Sequence, residues 1–188
     1  MIDKPYNWNL PVDIEINGNK HPIRNNCDYR VVLDVICALN DNELSSEEKI
    51  QCALFIFYED ISKIQDFEKA TKEMFFIINN GQEQEGANNK PPLMDWQHDF
   101  PQLAPPISRV LGYSVRDVNN YTHYYDFIGA YMEIGDCTFA NIVSIRNKRM
   151  KGKKLERWEQ EFYQEHKKMI DLPQKLTTED EEWLDSDW

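Results

Sequence analysis

No apolar stretch of this 188-residue sequence approaches the roughly 20 residues that a membrane-spanning helix needs. The first residues, MIDKPYNWNLPVDIEI, contain neither the charged nor the apolar region of a signal peptide, so we expect none. The sequence has no glycine-rich phosphate loop, no GxSxG motif and no HExxH motif. These absences argue against a membrane protein, and they leave the hypothesis of an enzyme without support.

Cysteine is scarce and dispersed. The four cysteines are Cys27, Cys37, Cys52 and Cys137, and no two of them form a CxxC pair. Three of them fall in apolar helical patterns and are interpreted as small core side chains. Because unpaired thiols suit a reducing compartment, we expect the protein in a cytoplasm.

Basic residues are outnumbered by acidic residues. The net charge is −12, which disfavours nonspecific attraction to nucleic acid or to an anionic membrane. Hydrophobic residues make up 41% of the chain, enough for a core, so global disorder is not expected. The composition indicates a mostly helical binding protein with neither nucleic acid nor membrane as a partner.

A set of histidines and carboxylates superficially resembles the ligands of a carboxylate-bridged di-iron bundle. Its members are Asp95, His98, Asp99, His123, Asp126 and Glu133. The carboxylates that two further helices should supply are missing, and we predict both histidines to be surface or half-buried. Cys137 begins a predicted helix but has no base placed beside it by the sequence. We therefore expect no metal, no cofactor and no catalytic residue.

Hydrophobic periodicity predicts a mainly α, bundle-like fold of about six or seven helices with a small N-terminal β-hairpin. Alternation over 12–16 followed by Asn17-Gly18 indicates the hairpin. Asp28 is predicted to cap a helix that runs to about Asn40. Ser45 with Glu48 predicts a capping box, opening a helix that is apolar all round and therefore buried between neighbours.

Composition divides the chain into four parts. We predict an N-terminal lobe over 12–80, a linker over 81–92, a C-terminal helical lobe over 93–172 and an acidic, mobile tail over 173–188. In the C-terminal lobe we predict a helix over 121–134 and a last long helix that stops before Pro173.

Proline interrupts the start of the C-terminal lobe. The three prolines concerned are Pro101, Pro105 and Pro106. Because proline inside a helix removes a hydrogen bond and clashes with the preceding turn, we predict two short helices here rather than one.

A basic run, RNKRMKGKK, begins at Arg146 and includes Lys148 and Arg149. A solvated loop between helices is one interpretation, and a nucleic-acid site is another. A third hypothesis is that the acidic tail, which carries Trp183 and Trp188, docks on this run in the same chain or in a neighbour. These five residues are our candidates for partner binding.

The segment Thr122-His123-Tyr124-Tyr125-Asp126-Phe127, together with Ile145-Arg146, resembles the phage gene-fifteen-product family. The resemblance covers about Val12 to Leu172. Two tyrosines stand where the family usually has two tryptophans. The positions that the resemblance marks, in the core or at an interface, are His123, Tyr124, Tyr125, Phe127 and Arg146.

The resemblance implies a tail-assembly chaperone that binds the tape-measure protein, keeps it soluble and is displaced as the tail tube assembles. It also implies other tail-assembly proteins as partners and self-association into oligomers. A tail component retained in the virion is the alternative, and a metal-dependent enzyme is a third hypothesis.

Overall fold

The fold is mainly helical, as predicted, with one antiparallel hairpin at its start. A computed structural model describes residues 9–83 and 91–173. In chain order the elements are β1 Asp13–Ile16, β2 Asn19–Pro22, α1 Tyr29–Asn40, α2 Ser46–Phe57, α3 Phe67–Ile78, α4 Trp96–Leu111, α5 Tyr124–Met132, α6 Thr138–Met150, α7 Arg157–Glu165 and α8 Lys167–Ile170. Among the residues described, no helix is both long and apolar enough to cross a membrane.

The hairpin forms where the sequence predicts it. Asn17 and Gly18 both have positive φ, at 51° and 81°, which is the geometry of a tight two-residue turn. Ile14 pairs with His21 across the two strands. Ile14 and Ile16 are 5% and 2% exposed, so the alternating pattern places one face of β1 in the core.

Local side-chain bonds fix the starts of the first helices. The Asp28 carboxylate accepts a hydrogen bond from the Arg30 N–H at 3.0 Å, which confirms the predicted cap of α1. The predicted capping box of α2 is present, with Ser45 and Glu48 exchanging side-chain-to-backbone bonds.

Helix α4 contradicts the prediction of two short helices, because it continues unbroken through all three prolines. Pro101 and Pro105 lie on the exposed side of α4, whereas Pro106 lies on its buried side. Leu103 and Ile107 on that buried side are fully buried. Burial of this apolar face offsets the hydrogen bonds that proline removes.

Three further elements differ from their predictions. Helix α5 is shorter than the predicted 121–134 segment. Helix α6 continues to Met150, so the basic run begins inside a helix instead of a loop. The predicted last helix is two helices, α7 and α8, because His166 leaves helical geometry with φ −121°.

The chain forms two compact units. The first comprises Met1–Pro91 and Leu103–Gly135, and the second comprises Pro92–Gln102 and Asp136–Trp188. Residues 103–135, which the sequence assigned to the C-terminal lobe, therefore pack with the first unit.

Each unit has its own core. In the first unit, the rings of Tyr29 on α1 and Phe127 on α5 stack with centroids 4.2 Å apart. In the second unit, Ile142 and Ile145 of α6 pack against Ile170 of α8.

Candidate functional site

The aromatic segment that begins α5 belongs to the core of the first unit. Tyr124 and Phe127 are 3% and 0% exposed, and the Tyr124 hydroxyl donates to the Ile78 carbonyl at 2.9 Å. Tyr125 is half-buried. Tyr124 and Phe127 therefore pack α5 against α3 and α1.

His123 is 1% exposed, so its prediction as a surface or half-buried residue is wrong. Its Nδ1 accepts a hydrogen bond from the Tyr125 N–H at 3.0 Å and caps α5. Because Nδ1 accepts, the neutral ring carries its proton on Nε2, which lies 2.9 Å from the Pro11 carbonyl oxygen and donates to it. Burial lowers the pKa of His123, and this effect exceeds the opposing effects of the Pro11 hydrogen bond, Asp126 and Asp28.

Arg146 is 7% exposed, so its assignment as a surface residue is corrected. All five of its N–H groups donate. Nε bonds to the Ile170 carbonyl, Nη1 bonds to the Leu93 carbonyl at 3.0 Å, and Nη2 bonds to the Met169 carbonyl at 3.1 Å. The other two N–H groups donate to the two oxygens of the fully buried Asp99 carboxylate at 2.7 and 2.8 Å. This arrangement joins the segment before α4, the start of α4, α6 and the end of α8.

The next cations of the basic run also have partners in the second unit. Lys148 donates to the buried Glu159 carboxylate at 2.6 Å, and Arg149 pairs with Asp171. The rest of the run is exposed, at Lys151, Lys153 and Lys154. Arg146, Lys148 and Arg149 thus already have intramolecular partners, which weakens the case for them as partner-binding residues. Trp183 and Trp188 lie outside the described residues.

The residues of the metal-like set have other roles. His98 Nε2 lies 3.2 Å from the Met169 carbonyl, and Asp99 pairs with Arg146. Asp126 and Glu133 are exposed. Within 9–83 and 91–173, no three histidine, cysteine or carboxylate side chains are grouped to hold a metal ion.

The first unit exposes an apolar groove between α2 and α3. Its apolar lining residues are Ile50, Leu54, Phe55, Ile56, Ile61 and Phe67. Phe55 is 64% exposed and Phe67 is 51% exposed, although solvent exposure of such rings is unfavourable. The prediction that α2 is buried on every side is therefore wrong. An apolar surface of this kind is typical of a protein-binding site.

Arg24 forms hydrogen bonds to the end of α2, next to the groove. Arg24 donates to the carbonyls of Phe55, Ile56 and Tyr58 at 2.8–2.9 Å. Its guanidinium also lies 5.9 Å from the centre of the Phe55 ring. Phe55 thus lies at the surface beside Arg24, whereas the nearby Phe57 is fully buried.

Residues 7–172 match the model of the family described as Bacteriophage Gp15 protein. The chain belongs to this family. The match covers the described parts of both units of this Gp15 protein, including the groove and the Arg146 network. No curated protein and no solved structure matches the chain.

Family membership makes this a bacteriophage protein. The mainly helical architecture and the phage family predicted from the sequence are both confirmed. The groove is the candidate binding surface that sequence reasoning missed. The available signal was the run Ala53 to Phe57, in which every residue is apolar, so that the helix has too many apolar positions for one buried face.

Proposed function

We propose that this Gp15 protein is a tail-assembly chaperone that binds the tape-measure protein and keeps it soluble in the host cytoplasm until the tail tube displaces it. The role is one of binding, without chemistry. The observation that supports it most is the exposed apolar groove between α2 and α3 in a protein with a net charge of −12. The groove offers a place for apolar helix stripes, and the charge keeps a complex soluble.

The groove is suited to weak binding. Phe side chains expose about 150–250 Å² when free, so the exposed fractions of Phe55 and Phe67, 64% and 51%, amount to roughly 200 Å² of apolar surface. Covering that surface together with a similar apolar area of the partner contributes about 10 kcal/mol at 25 cal/mol per Å². Association itself costs about 4–15 kcal/mol. One groove therefore binds weakly, as a displaceable chaperone should.

Weak sites become effective when many act together. Several copies bound along one long helical partner, or a chaperone oligomer, raise the overall affinity through effective concentration. The proposal therefore includes self-association and several copies per tape-measure chain.

The test is co-expression with the tape-measure protein of the same phage. We expect wild-type protein to raise the soluble fraction of the tape-measure protein and to co-purify with it. A variant with Phe55→Ser and Phe67→Ser should lose both effects while keeping its helical circular dichroism signal. Val118→Ser is the matched control, since Val118 is 78% exposed and lies outside the groove.

Two outcomes would count against the proposal. The first is equal tape-measure solubility with and without wild-type protein. The second is stoichiometric presence of the protein in mature particles, measured by quantitative mass spectrometry. That result would favour the alternative of a tail component retained in the virion.

A further inference from the structure

The charged side chains that line the groove are all negative. Among the described residues, the polar side chains lining it are Glu47, Gln51, Glu68 and Thr71. Two are carboxylates and none is a lysine or arginine. The surroundings have the same sign, because acidic side chains outnumber basic ones about two to one in the described part of the first unit. A partner bound in the groove therefore contacts an apolar surface that is flanked by negative charge.

These carboxylates are available to a partner. Glu68 pairs with Lys72 at 2.6 Å, but the two side chains are 81% and 73% exposed. Exposed pairs of this kind are weak and screened by salt, so a partner's cation competes with Lys72. Glu47 accepts a hydrogen bond from the neutral Gln51 amide at 3.3 Å.

Arg24, the cation beside Phe55, does not make the surroundings of the groove positive. Arg24 donates to three carbonyl oxygens at the end of α2. Those carbonyls form the negative end of the helix dipole, which offsets part of the guanidinium charge, and Arg24 does not line the groove.

The length of the groove suggests a helix as its occupant. From Glu47 to Phe55 the lining of α2 rises about 12 Å, slightly more than two helical turns. A helix lying along it presents apolar side chains at i, i+3 or i+4, and i+7. We infer that the groove takes an amphipathic helix whose apolar stripe is flanked by lysine or arginine. This inference rests on the proposed function and states which tape-measure segments bind.

Two other occupants fit the charges less well. Residues 174–188 of this chain contain six carboxylates and one lysine. A second copy of the first unit would likewise bring an excess of carboxylates. Either would place negative charge against Glu47 and Glu68, which weakens binding.

The experiment uses the full chain and two synthetic helices of about 20 residues with the same leucine stripe. One has lysine on both flanks of the stripe and the other has glutamate. Fluorescence anisotropy at low salt should give about three- to tenfold tighter binding of the lysine helix. Raising the salt to about 0.5 M should remove most of that difference. Glu47→Gln with Glu68→Gln should reduce the preference but retain binding.

Thiol labelling locates the bound peptide. Cys52 lines the groove, whereas burial raises the pKa of the Cys27 thiol to about 12 and makes it unreactive. In a variant with Cys37→Ser and Cys137→Ser, a thiol reagent therefore reports mainly on Cys52. The lysine helix should slow this labelling, and Phe55→Ser should abolish the protection.

Equal affinity for the two helices, or a preference for glutamate, would overturn the inference. So would Cys52 labelling that speeds up when residues 174–188 are deleted, since the tail would then occupy the groove. Labelling that slows with protein concentration alone would indicate a second copy instead. If the peptides fail but co-expression still solubilises the tape-measure protein, only this inference fails and the proposed function stands.

Discussion

Arg146→Met should destabilise the second unit strongly. The substitution removes five hydrogen bonds and leaves the Asp99 carboxylate, which is 0% exposed, without its cation. Breaking a buried pair from one side costs about 3–5 kcal/mol. For a chain of this length, about 2–4 °C is lost per kcal/mol, so the melting temperature should fall by roughly 6–20 °C.

The matched control is Arg149→Met. Arg149 pairs with Asp171, but the two side chains are 42% and 35% exposed, so its loss should cost about 1 kcal/mol or less. Urea denaturation followed by circular dichroism compares the two variants. Hydrogen exchange at the α6 and α8 amides shows whether the loss lies in the second unit.

A double variant separates the loss of the Arg146 hydrogen bonds from the cost of leaving the Asp99 carboxylate unpaired. Asp99→Leu added to Arg146→Met removes the unpaired carboxylate and should recover part of the lost stability. The reasoning is refuted if Arg146→Met behaves like Arg149→Met. It is also refuted if the loss in unfolding free energy of the double variant equals the sum of the losses of the two single variants.

Three further substitutions test local features. His123→Asn keeps an acceptor for the Tyr125 N–H but cannot titrate. Since burial lowers the pKa of His123, the unfolded chain binds more protons at low pH, and wild type should lose stability as pH falls below about 6.5. Urea midpoints between pH 7.5 and 5.5 should fall more for wild type than for His123→Asn, and parallel curves would contradict this. Ser45→Ala breaks the capping box and should cost about 1 kcal/mol by the same assay, whereas no change would show that the cap is redundant. Pro105→Ala, at an exposed position inside α4, should raise the melting temperature because it allows a backbone N–H bond, and a decrease would mean that the helix depends on proline there.

The features that the sequence predicted well depend on neighbouring residues. The Asn17-Gly18 turn, the Asp28 cap and the Ser45–Glu48 capping box each form within a few positions. In each case the side-chain chemistry suffices to specify the local structure. These elements could therefore be predicted without knowledge of the tertiary fold.

The features that the sequence missed depend on distant residues. The Arg146 network was interpreted as part of a solvated basic run because its partner Asp99 lies 47 positions earlier. The continuity of α4 was missed because burial of Leu103 and Ile107 outweighs the local penalty of proline. The bonds from Arg24 to the end of α2 were missed because Arg24 lies 31 positions before Phe55.

Site-specific photocrosslinking tests the central claim most directly. A benzophenone amino acid placed at position 55 or at position 118 compares the groove with an exposed site outside it. During co-expression with the tape-measure protein, we predict crosslinks from position 55 and few from position 118. A soluble complex that crosslinks no more from position 55 than from position 118 would contradict the account.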